Sequence, residues 1–201
     1  MLAIAGGKGG SGKTTTTLGV ARAIDGPTLA VDADCDLPNL HALAGVPRDP
    51  PPGACGHPDP TTPADTRIVP APRDAPNGLG DRLRRLREDD ESGFVVVDCP
   101  AGAGPDATVP LRVADRVLLV STACVAGLRD AAKTAAMARA VGTPVVGGVL
   151  TRARLSPPGI EELLGCPVVA TVPDALEPLD DTGVKRAYRT IAREVCDRQK
   201  A

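Results

Sequence analysis

Gly7-Lys8-Gly9-Gly10-Ser11-Gly12-Lys13-Thr14 sets four glycines, two lysines, a serine and a threonine in eight consecutive positions. Residues of these types at this spacing bind phosphate. The glycines let consecutive backbone N–H groups turn inward around phosphate oxygens. The pattern G-x-x-x-x-G-K-[ST] is met without exception, between the apolar run Leu2-Ala3-Ile4-Ala5 and a helical pattern that begins at Lys13. A helix N-terminus adds a favourable dipole for an anion. Lys13 is placed to reach β- and γ-phosphates, the Thr14 hydroxyl to ligate Mg²⁺, and Thr15 to sit beside them. The structural alternative, a glycine-rich turn with a chance lysine, requires motif and context to coincide by accident.

Carboxylates supply the second kind of chemistry. Asp32, Asp34 and Asp36 crowd the end of the apolar run Leu29-Ala30-Val31. Three like charges so close are easier to justify beside a cation or a reacting water than as ornament. Asp98 ends Phe94-Val95-Val96-Val97, where a carboxylate suits a Mg²⁺ held through water. Asp98 alone is a weak signal; beside a phosphate loop it is a strong one. The two histidines, His41 and His57, lie outside these motifs. The six cysteines, Cys35, Cys55, Cys99, Cys124, Cys166 and Cys196, form no Cys-x-x-Cys pair and read as reduced thiols, mostly small buried hydrophobes. Cys55-Gly56-His57 supplies half a metal site at most.

These residues need strands and helices to position them. Short apolar runs at Leu2–Ala5, Leu29–Val31, Thr66–Val69, Phe94–Val97, Arg116–Ser121, Val145–Leu150 and Val168–Val172 read as strands. Helical patterns at Lys13–Ile24, Gly80–Glu88, Leu128–Val141, Ile160–Leu164 and Val184–Cys196 separate them, with Leu79, Leu83 and Leu86 inward on the second. Continuous apolar strands between helices predict an α/β chain: a largely parallel sheet with helices on both faces, in three layers. One domain over residues 1–201 suits the length. From Pro47 to Pro76 prolines crowd the chain, Pro50-Pro51-Pro52 among them. Such a run cannot sustain a helix and reads as a surface loop.

Composition excludes some functions. There is one Phe (Phe94), one Tyr (Tyr188) and no Trp, so base stacking on aromatic platforms is ruled out. The net charge of −2 makes no global case for nucleic acid or membrane. No apolar run approaches the ~18 residues of a membrane span. Met1 to Gly7 lacks the charged and apolar regions of a signal peptide, so the expected location is cytoplasmic.

Lys8, early in the loop, resembles the deviant Walker A pattern K-G-G-x-G-K-T of the MinD/ParA family of P-loop ATPases. Asp32-Ala33-Asp34, followed by Asn39, looks like that family's first switch. Asp98-Cys99-Pro100-Ala101-Gly102 looks like its Walker B and second switch, in a form closer to MinD than to ParA. The stretch from Ala114 to Val120 and Leu128-Arg129-Asp130-Ala131 leans the same way. The resemblance runs from Met1 to about Arg193. It implies a three-layer P-loop NTPase fold, an ATP and Mg²⁺ site, and a homodimer that forms around ATP. On the resemblance, Lys8 acts in trans on the partner's phosphates and Asp34 orients the attacking water. Asp32 supports the Mg²⁺ shell, and Thr151-Arg152 and Pro173-Asp174 lie against the base. Hydrolysis would then position or partition a cellular cargo, with a protein regulator.

The sequence also departs from the family. Thr151 stands where the family has an Asn that reads adenine, so ATP is favoured and GTP stays open. The Pro-rich run replaces helices on a surface that meets regulators. At the C-terminus, Val184, Tyr188, Ile191 and Val195 form a stripe suited to packing on the sheet, which argues against stable membrane anchoring by this chain alone. The opposite face carries Lys185, Arg186, Arg189, Arg193 and Arg198, and the helix at Gly80–Glu88 carries Arg82, Arg84, Arg85 and Arg87. These faces are either solvated surface or, as in ParA-like ATPases, a grip on non-specific DNA. Two other classes stay in view: an ATP-dependent carboxylate ligase on the same scaffold, and an iron–sulfur carrier using Cys99 and Cys124.

Overall fold

In the first strand, β1 (Leu2–Ala5), Leu2 and Ile4 join one apolar layer while Ala3 and Ala5 join the other. That two-sided burial is what a strand covered by helices on both faces requires. The computed structural model describes residues 1–63, 65–73, 78–89, 93–102 and 104–197. Arg198, assigned above to the basic face, and Pro76, which closes the Pro-rich stretch, lie outside the described residues.

The remaining strands are β2 (Thr28–Asp32), β3 (His57–Pro58), β4 (Thr66–Val69), β5 (Phe94–Asp98), β6 (Arg116–Thr122), β7 (Val145–Thr151) and β8 (Val168–Val172). They form one sheet in the order β3-β4-β2-β5-β1-β6-β7-β8. All pairings are parallel except β3 with β4. The order runs outward on both sides of β1, so the crevice at its C-terminal end is where an open α/β sheet receives a ligand.

Helices α1 (Lys13–Ala21), α2 (Leu40–Ala44) and α7 (Thr182–Asp197) cover one face. Helices α3 (Leu79–Glu88), α4 (Pro105–Val113), α5 (Val125–Ala140) and α6 (Ile160–Leu164) cover the other. The α7 stripe packs inward as its spacing predicts: Val184, Tyr188, Ile191 and Val195 are all buried. Leu79, Leu83 and Leu86 of α3 are buried too. No helix among the described residues is long and apolar enough to cross a membrane.

Three elements escape the sequence pattern. Helix α4 starts with Pro105 in its first turn, where a missing N–H costs little, and carries Pro110 inside, where it reads as a breaker. Burial of Ala107, Leu111 and Val113 holds it helical. Helix α2 is too short to show a period. Strand β3 lies within the Pro-rich stretch, which is therefore not a loop throughout. His57 pairs with Ile68 and Pro58 with Arg67, and the Asp59 N–H donates to the Thr66 carbonyl at 2.9 Å. The Asp59 carboxylate is fully buried, accepts from Arg22 Nε at 2.8 Å and ties the stretch to the end of α1.

Candidate functional site

The phosphate loop turns between β1 and α1. Gly12 is left-handed at φ 90°, a conformation side chains resist. Gly7 is wedged against α5, where a Cβ would fall 2.4 Å from the Asp130 backbone. Gly9, Gly10, Gly12, Lys13, Thr14 and Thr15 line a cavity of about 470 Å³. Asp34, Asn39, Ala101 and Arg152 line it as well, as do Leu37 and Leu43, which are exposed.

Lys13 is only 7% exposed. Its ammonium donates to the Lys8 carbonyl at 3.5 Å and forms no ion pair among the described residues. A buried ammonium without an anion is costly. The Ser11 hydroxyl is buried with no hydrogen-bond partner. A cation in no salt bridge and a hydroxyl without a partner, beside the open glycines Gly9 and Gly10, fit a phosphate chain.

The Mg²⁺ side fits equally. Thr17 Oγ1 donates to the Asp98 carboxylate at 3.5 Å, and the Thr14 hydroxyl lies near enough to favour its ionised form. Burial pushes the Asp98 carboxyl up to about 7, against the pull of Thr14 and of Lys13. No cluster of three His, Cys, Asp or Glu that could hold a metal occurs among the described residues. Mg²⁺ needs none, because it is held by one or two protein ligands, waters and the nucleotide's own phosphates.

The structure separates the two switch aspartates. Asp32 stands opposite Asp98 on neighbouring strands, yet its oxygens are taken: Oδ1 accepts from the Asp34 N–H at 3.0 Å and Oδ2 from the Leu40 N–H at 3.1 Å. Burial raises its carboxyl to about 6, with those backbone bonds pulling the other way. Asp32 thus braces the segment that leads into α2. Asp34 lines the cavity, with Oδ1 accepting from the Leu37 N–H at 3.0 Å. Lys8 is exposed at the rim and forms no ion pair among the described residues.

The residues assigned to the base fall apart. Arg152 lines the phosphate cavity and is left-handed at φ 53°, alone among the described non-glycine residues. Pro173 and Asp174 line a neighbouring cavity of about 430 Å³ with Ala153, Arg154 and Thr171. The Arg152–Asp174 contact at 3.8 Å joins the two. Thr151 lines neither cavity. Its hydroxyl donates to the Ser11 carbonyl at 2.7 Å, a contact across 140 positions that no spacing in the sequence announces.

All six cysteines are free thiols. Cys99 is buried, and desolvation raises its thiol. Cys124 is exposed and caps α5, accepting from the Gly127 N–H at 3.4 Å. Its thiol is lowered by the Thr122 bond first and the Gly127 bond second, with a smaller pull from Lys8. Of the α3 arginines, Arg84 is paired with Asp81, and Arg87 donates to the Val113 carbonyl at 2.8 Å. Arg186, Arg189 and Arg193 of α7 are exposed.

A family model for the CobQ/CobB/MinD/ParA nucleotide binding domain matches residues 2–178. An uncharacterized ATP-binding protein of Methanocaldococcus jannaschii is 31% identical over 201 residues, covering 86% of this chain and 74% of that protein. A putative septum site-determining protein MinD of Emiliania huxleyi is 28% identical over 207 residues, covering 87% and 74%. Among solved structures, the septum site-determining protein MinD of Pyrococcus horikoshii complexed with Mg-ADP superposes with a TM-score of 0.85 at 22% identity, over 100% of this chain and 98% of that one. That likeness establishes the fold class, a three-layer P-loop NTPase.

Proposed function

We propose, from the premise that this chain belongs to the CobQ/CobB/MinD/ParA nucleotide-binding family, that it is an ATP-driven switch: it dimerises around Mg-ATP, hydrolyses it and so positions or partitions a cargo. The observation that carries this reading is Lys13, a largely buried lysine that makes no salt bridge among the described residues, set in a cradle open to phosphates. Lys13 and the loop N–H groups hold the phosphates. Thr14 and Asp98 hold Mg²⁺, whose charge offsets that of the β- and γ-phosphates. Asp32 keeps the first switch in place, and Asp34 accepts a hydrogen bond from the attacking water and aims it.

Dimerisation accounts for three features of the rim. Lys8 is exposed beside the cavity and does not line it. Leu37 and Leu43 are apolar and exposed at the same mouth, at 74% and 41%. A facing copy would cover both leucines and receive Lys8 at its phosphates, much as an arginine finger acts in trans. The exposed arginines of α7 would be doubled in the dimer, which leaves that face either solvated surface or a grip on non-specific DNA. A protein regulator or cargo is the other partner.

The test is the oligomeric state by light scattering with ATP, ADP or no nucleotide, alongside phosphate release. The reading expects dimers with ATP only, trapped by Asp34→Ala and lost in Lys8→Ala with phosphate release. Dimerisation and turnover unchanged in Lys8→Ala would reject it. The trapped Asp34→Ala dimer also serves for duplex DNA binding. ATP-only binding that weakens steeply with salt makes the α7 face functional; no binding leaves it as solvated surface.

A further inference from the structure

Thr151 ends β7 and packs against the back of the phosphate loop. Thr151 and Ser11 are 6% and 5% exposed, so water does not compete for the bond between them. A second carbonyl, that of Ser121, lies farther from the same hydroxyl, at 3.3 Å. One hydroxyl carries one proton, and the shorter contact takes it. The Thr151 γ-methyl sits 3.2 Å from where a Cβ of Gly12 would be. Thr151 therefore holds Ser11 by its hydroxyl, two positions before Lys13, and its methyl fills the space that a side chain at Gly12 would need.

The corner that carries Thr151 is itself fixed. Arg152 leaves the strand in a left-handed conformation, and the Ala153 N–H donates to the Val172 carbonyl at 3.0 Å. Neither the phosphate cavity nor the one beside Asp174 is lined by Thr151. Its donor is spent on Ser11, leaving none for a base.

We infer that Thr151 is a positioning residue for the phosphate loop: it holds the Ser11–Gly12 turn in the shape that receives phosphate and sets nucleotide affinity without reading the base. The inference rests on the reading of the loop as a nucleoside triphosphate site. Losing the donor leaves the Ser11 carbonyl buried without its partner, and the turn is then free to rotate its N–H groups away from phosphate.

Two variants separate the hydroxyl from the methyl. Thr151→Val keeps the shape and removes the donor; Thr151→Ser keeps the donor. Dissociation constants for ATP, ADP and GTP are measured with each, with KM and kcat for phosphate release and amide hydrogen exchange over residues 9–13. Thr151→Val should weaken all three nucleotides by one common factor of about tenfold, one hydrogen bond's worth. KM should rise with kcat nearly unchanged, and exchange should quicken in residues 9–13 and not in β7. Thr151→Ser should stay within about threefold of the native chain, since the bond is retained. Native affinity in Thr151→Val overturns the inference. A change in the ATP-to-GTP ratio overturns it too, by making Thr151 a base reader. If the native chain binds none of the three nucleotides, the phosphate-site reading itself falls and takes the inference with it. Should Thr151→Val fail to fold, an affinity loss in Thr151→Ser as large as that of a phosphate-loop variant overturns the inference, because the donor is still present.

Discussion

Lys13 and Asp59 are both buried charges, and the chain treats them oppositely. Asp59 is fully buried, and its requirements are met within the molecule: Arg22 Nε donates to Oδ2 at 2.8 Å, and the Thr61 N–H donates to Oδ1 at 2.6 Å. Lys13 is 7% exposed; its one hydrogen bond among the described residues is to a carbonyl at 3.5 Å, and Asp98 lies near it without forming a salt bridge. A buried charge with its partners in place belongs to the fold; here it anchors a proline-rich segment that could not hold itself by helix formation. A buried charge that makes no salt bridge and faces an open cavity awaits a ligand. Each site should therefore fail in its own way when its charge is removed.

The largest expected effect is at Lys13. Lys13→Ala should lower kcat for phosphate release by about 10²–10³-fold, the scale for deleting one group aimed at developing charge. The melting temperature without nucleotide should change little, because the loss of a buried cation that makes no salt bridge offsets the loss of its attraction to Asp98. A clear drop in that melting temperature would break the contrast, since Lys13 would then be structural.

Asp59→Ala is the mirror experiment. It leaves the Arg22 guanidinium, 15% exposed, without its carboxylate, and urea unfolding should show a loss of about 3 kcal/mol. ATP affinity at a temperature where the variant is folded should stay within about twofold, since no atom of the phosphate cavity has moved. Lost nucleotide affinity in a folded Asp59→Ala protein would show that the proline-rich segment reports to the site.

The two sites also differ in how legible they were. The placement of the phosphate loop between β1 and α1, of Asp34 on its cavity and of Asp98 at the end of β5 could be read because their signals are local: consecutive glycines, a lysine and carboxylates at strand ends carry their own context. The strands could be read for the same reason, as apolar runs with polar breaks. Asp59 could not be, because its partner lies 37 positions away, just past the end of α1, and nothing in Pro58-Asp59-Pro60 distinguishes it from a solvated turn residue. Thr151 could be placed near the nucleotide by resemblance, but its acceptor lies across 140 positions, and a hydroxyl does not announce which carbonyl it will find. Helix α4 was hidden by Pro110, a local breaker overruled by burial. Local chemistry is visible in sequence; the partner of a distant polar group is not.

Asp98 sharpens the comparison through pH. Its carboxyl is raised to about 7, chiefly by burial, so between the unfolded value of about 4 and about 7 the folded chain binds more protons than the unfolded one. Stability without nucleotide should therefore fall as pH rises through that window. Mg²⁺ needs the ionised form, so its binding releases a proton there. In the presence of ATP, apparent Mg²⁺ affinity should rise by up to about tenfold per pH unit below about 7 and level off above it. Asp98→Asn should flatten the Mg²⁺ profile and lessen the stability slope, what remains between about 4 and 6 coming from Asp32. A Mg²⁺ affinity independent of pH from 5.5 to 8 in the native chain would place the metal away from Asp98.

The smallest effect is expected where a charge is neither buried nor awaiting a ligand. Asp81 and Arg84 pair on the exposed face of α3, at 71% and 56% side-chain exposure. Water already solvates both ends, and holding two long side chains in one geometry cancels much of the gain. Asp81 also sits in the first turn of α3, where a negative charge complements the helix dipole. Arg84→Ala removes the pair and leaves that dipole term in place, so its cost in urea unfolding should be under about 0.5 kcal/mol. Asp81→Ala removes both and should cost up to about 1 kcal/mol. Equal costs in the two variants would mean that the pair, not the dipole, carries the effect, and a cost approaching that of Asp59→Ala would show that exposure does not divide the two kinds of charge.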